Sequence, residues 1–116
     1  MKPTKRKPTR FYSNRQEKKV AKVLKGKQTV NSGATPFIKG DVLTDKWLIE
    51  CKTKTSDSHT FTIKKEWIEK NEEEAFAMNR DYSAIAFNFG PDSENYYVIN
   101  ENLFKLLKEY LEEGDK

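Results

Sequence analysis

The 116 residues predict a single domain of α/β (α+β) class, with a central mixed five-stranded sheet flanked by helices. Three observations carry that expectation. Runs of β-branched and aromatic residues recur between polar turns, at Phe37 to Leu43, Trp47 to Thr53, Ser83 to Phe89 and Tyr96 to Ile99. Apolar residues at helical spacing fill the segments before, between and after them. A chain of this length can bury one core but not two.

The first helix is expected from about Asn14 to Lys25. Ser13 is a candidate N-cap with Gln16 completing a capping box, and Gly26 is a C-terminal stop. Its apolar stripe is Val20, Ala21 and Leu24. Glu17 lies three and four residues before Val20 and Ala21 and so shares the stripe, whereas Lys18, Lys19, Lys22 and Lys25 lie around the other side. A short strand is expected from about Gln28 to Val30.

The next two strands form a hairpin. If Asp45 and Lys46 make a two-residue loop, Asp41 faces Glu50, with Cβ atoms about 5 Å apart. Glu50 and Lys52 share one face of their strand, while Ile49 and Cys51 point to the other. Opposed carboxylates repel unless a cation relieves them, and a hard divalent ion with oxygen ligands does so. A carboxylate on the inward stripe of the first helix is costly unless paired or metal-bound, which makes Glu17 a third candidate ligand. A lysine beside such a group can orient a water or steady charge developing on a phosphate. Cys51 reads as a buried strand residue. Its thiol has no second cysteine to join and His59 is the only histidine, so it does not mark a zinc site.

After the polar connection Thr55 to Ser58, a helix is expected from about Ile63 to Asn79. Ile63, Trp67, Ala75 and Met78 should face inward, with Glu69, Glu72, Glu73 and Glu74 toward water. Gly90-Pro91-Asp92 is a turn between the last two strands. The closing helix, about Glu101 to Glu112, carries Leu103, Leu106, Leu107, Tyr110 and Leu111. Core packing is the simpler use of that stripe; a dimer seam is the other.

Formal charge is +4, but it is divided unevenly. The first forty residues hold twelve Lys or Arg against one acid; the remaining seventy-six hold ten against seventeen. That asymmetry suggests a basic arm or face for polyanions and a solvated acidic face elsewhere. Lys2, Lys5, Arg6, Lys7 and Arg10, interrupted by Pro3 and Pro8, make residues 1–12 a flexible basic arm, ahead of a domain over 13–116. A lone cysteine, no signal peptide and no long apolar run lead to the expectation of a soluble cytoplasmic protein, in the host cytoplasm if phage-encoded.

Taken in order, Glu17, Ser32-Gly33, Gly40-Asp41-Val42 and Glu50-Cys51-Lys52 resemble the PD-(D/E)XK nuclease superfamily. The closer likeness is to the small Holliday junction resolvases of archaeal and phage type. The likeness runs from about Ser13 to the final helix; no proline precedes Asp41, where the superfamily's name would place one. The resemblance implies a restriction-endonuclease-like core and a homodimer that cuts symmetric strands of a four-way DNA junction. It implies that Asp41 and Glu50, the backbone carbonyl of Cys51 and Glu17 hold Mg²⁺, with Mn²⁺ able to substitute and no nucleotide cofactor. Glu17, Asp41, Glu50 and Lys52 would then be catalytic. Ser32, Gly33, Lys5, Arg6, Lys7, Arg10, Arg15, Lys39 and Lys54 are the expected nucleic-acid contacts. The alternatives are another nuclease of the superfamily, of nicking, repair or restriction type, and a DNA-binding module without catalysis.

Overall fold

The computed structural model describes residues 9–29 and 42–114. In chain order its elements are α1 (Thr9–Leu24), β1 (Lys27–Gln28), β2 (Val42–Leu43), β3 (Trp47–Lys52), α2 (Lys65–Ala77), β4 (Tyr82–Phe87), β5 (Tyr96–Val98) and α3 (Glu101–Gly114). The strands form one mixed sheet in the order β1-β2-β3-β4-β5, antiparallel throughout except where β3 runs parallel to β4. Parallel neighbours need a crossover connection, and α2 supplies it.

α1 begins at Thr9, earlier than Ser13 and Gln16 had suggested. Pro8 is the last helix breaker before α1, and nothing between Thr9 and Ser13 stops the helix from extending. Phe11 and Tyr12 meet edge to face at 5.4 Å, and the Arg15 guanidinium lies over the Phe11 ring at 5.6 Å. Residues 9–12 therefore belong to α1 rather than to the arm, and Gln16 is released from capping.

At the other end Lys25, not Gly26, takes the left-handed conformation, with φ 57°. Gly26 is required for a different reason. A Cβ there would lie 2.6 Å from the carbonyl oxygen of Leu43 and 3.0 Å from Val42 and Thr44 side-chain carbons, so only glycine lets the chain pass this close to β2.

α1 and α2 cover opposite faces of the sheet. Under α1, Val20 packs with Val42, Ile49, Cys51, Ala84 and Ala86, joined by Ala21, Leu24, Trp47 and Ile99. Leu48 and Ile85 are fully buried on the other face, toward α2. Burying each such aliphatic side chain contributes about 2 kcal/mol. β4 is covered on both sides, which is why Ala84, Ile85 and Ala86 are all buried.

α2 is shorter than Ile63 to Asn79, and its inward row differs by one residue. Ala75 is buried, but so is Asn71, one turn before it. The Asn71 Nδ2 donates to the carbonyls of Ala84, at 3.1 Å, and Leu48, at 3.5 Å, so an amide sits where the apolar pattern shows only a gap. Glu69, Glu72 and Glu73 are exposed, as the charge run suggested.

α3 starts where Asn100 caps it, its Oδ1 accepting the Leu103 N–H at 2.8 Å. Core packing does not use its stripe. Leu103 is the one buried residue of α3, and Leu106, Leu107, Tyr110 and Leu111 are exposed, Tyr110 at 75% and Leu111 at 66%. Beyond Leu103 no residue of the helix is buried.

Candidate functional site

The hairpin closes as its residue types require. The Thr44 N–H donates to the Trp47 carbonyl and the Trp47 N–H to the Thr44 hydroxyl, both at 3.0 Å, leaving Asp45 and Lys46 as the two-residue loop. Val42 pairs with Ile49 and Leu43 with Leu48. This is the register on which the expected opposition of Asp41 to Glu50 depends.

Alternation along β3 then sorts its side chains. Ile49 and Cys51 enter the core under α1, so Glu50 and Lys52 leave on the α2 face. Lys52 Nζ lies 3.9 Å from Glu50 Oε1 and 4.5 Å from the centre of the Trp67 ring, held between a carboxylate and an indole face. The Glu50 side chain is 15% exposed and that of Lys52 32%, so the pair is sheltered but open to solvent.

Around this pair the surface is basic and aromatic. Lys64 Nζ lies 5.6 Å from the same Trp67 ring, and Lys54 Nζ lies 5.7 Å from the ring of Phe61. Lys54 also donates to the Ser58 hydroxyl at 2.9 Å and to the Thr60 carbonyl, which fixes the loop after β3. Phe61 stacks at 5.0 Å on Phe87, the β4 partner of Lys52, and Phe87 meets Tyr96 at 5.8 Å. Helical spacing predicts only that Trp67 faces inward, and it gives Lys64 no role. Neither pattern reveals their meeting, because it depends on how the loop folds back.

The strand end is fixed from the other face by Gln16. This buried side chain donates through Nε2 to the Lys52 carbonyl at 2.8 Å, to the Ala86 carbonyl at 3.3 Å and to Asn95 Oδ1 at 3.1 Å. Asn95 Oδ1 also accepts from Asn88 Nδ2, and Asn88 Oδ1 accepts the Thr53 hydroxyl at 2.7 Å. A polar network thus ties α1, the ends of β3 and β4, and the turn after β4. In the turn after β4, Gly90 passes so close to Asp57 that a Cβ there would collide with it.

Glu17 is turned inward, at 6% exposure, as its position on the stripe required. It belongs to α1, on the Ile49–Cys51 side, whereas Glu50 and Lys52 leave β3 toward α2. Cys51 is buried and pairs with Ala86. Among the described residues, no three His, Cys, Asp or Glu side chains group to hold a metal ion. Asp41, Ser32, Gly33, Lys39, Lys5, Arg6 and Lys7 lie outside the described residues, as does the side chain of Arg10. Arg15 is exposed and paired with Asp92 at 2.9 Å. His59 is exposed. The Tyr97 hydroxyl is pushed above its ordinary pKa by burial first and by Cys51 second, so it stays protonated at neutral pH.

Comparison of the chain with protein-family models, with curated proteins and with solved structures gave no match. No helix of the described residues is long and apolar enough to cross a membrane.

Proposed function

We propose that the protein is a Mg²⁺-dependent, structure-selective DNA endonuclease acting on four-way junctions. One observation carries the reading most directly: Glu50 and Lys52 stand together on the solvent-reachable end of β3, in the hairpin register that the Asp41–Glu50 pairing needs. The basic and aromatic wall of Lys54, Lys64, Phe61 and Trp67 supports it, because stacking faces interleaved with cations suit nucleic-acid strands.

The donor set suits a hard cation. Carboxylates of Asp41 and Glu50, with the Cys51 carbonyl, would hold Mg²⁺ or Mn²⁺, and Glu17 would join only where the ion is reached from the α1 side. Such an ion, when bound, neutralises phosphate charge and lowers the pKa of a coordinated water. The Lys52 ammonium, confined between Glu50 and Trp67, orients the scissile phosphate and stabilises its developing charge. Gln16 acts behind it by holding the Lys52 carbonyl. A homodimer would present two such sites to symmetric strands, and the exposed apolar stripe of α3 is a surface suited to that pairing.

The test incubates the protein with a synthetic four-way junction, a plain duplex and a palindromic library, in Mg²⁺ or in chelator. Paired symmetric nicks confined to the junction and dependent on the metal are expected. Equal cutting of every duplex would replace resolution by general nuclease activity, and binding without cleavage in any metal would leave a DNA-binding module. Glu50→Gln should lower cleavage by about three orders of magnitude or more, the scale on which loss of one catalytic group acts, and leave junction binding intact.

A further inference from the structure

A second basic feature lies at the opposite end of the sheet from Lys52. The loop after α1, the hairpin turn and the connection from α2 to β4 enclose a cleft of roughly 840 Å³. Lys25, Lys27, Lys46 and Arg80 line it, with Gln28 and Trp47, and Asp45 is its only acid among the described residues. Lys25, Lys27 and Lys46 are exposed, and none of the four cations pairs with a described carboxylate. Arg80 uses Nη1 on the Met78 carbonyl at 3.0 Å, while its buried Nε–H has no acceptor among the described residues. Four cations gathered around one acid repel each other, and an anion relieves that repulsion.

The cleft also continues onto α1. Gln16 holds the helix at the C-terminal ends of β3 and β4, whereas Leu24 and Gly26 lie beside Trp47, Thr44 and Leu43, so α1 runs antiparallel to β3. Its outer face carries Lys18 and Lys22 one turn apart, with Lys19 alongside, and Lys25 follows directly after its last residue. All are exposed and none is paired with a described carboxylate. Lys18 to Lys22 rise about 6 Å along the helix at 1.5 Å per residue, and Lys25 carries the row into the cleft that it lines.

We infer that the Lys18–Lys22–Lys25 ridge and the Lys25, Lys27, Lys46 and Arg80 cleft form a phosphate-backbone site for duplex DNA, separate from the Glu50–Lys52 pair. A line of lysines without a described carboxylate partner, entering a cleft, suits a polymer with regularly spaced charge better than a single small anion. The cations of the cleft suit phosphate contacts, which carry no sequence information. It goes beyond the nuclease reading and does not need cleavage to operate.

The experiment compares the full-length wild type with two triple variants of equal charge loss. One is Lys25→Gln/Lys27→Gln/Lys46→Gln in the cleft, and the other is Lys65→Gln/Lys105→Gln/Lys108→Gln on α2 and α3. Fluorescence anisotropy with a short labelled DNA duplex is read in chelator between about 50 and 200 mM salt. The cleft variant should lose about 2.7 from the slope of log K against log salt, at about 0.9 per phosphate contact, and the control variant less than about 0.9. Equal changes in the two variants, or no change in either, would remove the cleft as a site. If labelled polyglutamate binds the wild type as tightly as the duplex, and the cleft variant loses both, the occupant is an acidic polypeptide and the DNA assignment fails. Because chelator is present throughout, a failed binding assay and a failed cleavage assay report on different claims.

Discussion

α1 and α3 are both amphipathic, yet they meet opposite fates. α1 has a sparse apolar stripe, three aliphatic residues among many cations, and Val20 from it is fully buried. α3 has the fuller stripe, and most of it faces solvent. The difference comes from what each helix can reach. α1 lies across the face presented by Val42, Ile49, Cys51, Ala84 and Ala86, so even a thin stripe finds a complete floor. α3 buries a single leucine, Leu103, and no residue after it finds such a floor. An apolar stripe states that a helix needs a partner; only the fold states whether the same chain supplies one.

The largest effect that would break this comparison is loss of the floor beneath α1. Ile49→Ala removes a fully buried side chain from the cluster and should destabilise the domain by about 3 kcal/mol, read by chemical denaturation. A cost near that of a surface site would mean that α1 does not depend on β3.

Gln16→Ala comes next. It strips donors from the Lys52 and Ala86 carbonyls and from Asn95, and should cost about 2 kcal/mol. If Gln16 positions Lys52, the loss of cleavage should exceed what the remaining folded fraction accounts for. Proportional losses would reduce Gln16 to a structural role.

The smallest effect on the isolated domain belongs to α3. Leu107→Ser/Leu111→Ser should change monomer stability by no more than about 0.5 kcal/mol per site at low protein concentration, where most surface changes fall. The same variant should shift the mass measured by analytical ultracentrifugation toward monomer. A large fall in monomer stability would show that α3 folds back onto its own domain in solution.

Much of the architecture could be read from residue types. The hairpin turn at Asp45-Lys46, the alternation that separates Ile49 and Cys51 from Glu50 and Lys52, and the inward turn of Glu17 all follow from local periodicity. Other features could not be read this way. Ser13 and Gln16 have the residue types of a capping box, but the helix passes through them because no breaker intervenes after Pro8. Asn71 looks polar and therefore exposed, yet sheet carbonyls above it make burial favourable. The basic and aromatic wall beside Lys52 joins Phe61, Lys64 and Trp67 to a strand end many residues away.

The order of residues alone determined which groups alternate along β3 and which face of each helix is apolar, because backbone geometry imposes those periods wherever the segment lies. Tertiary structure decided which of those faces found a cover and which cations gathered in one cleft. Both depend on contacts between distant segments, and no local period encodes those.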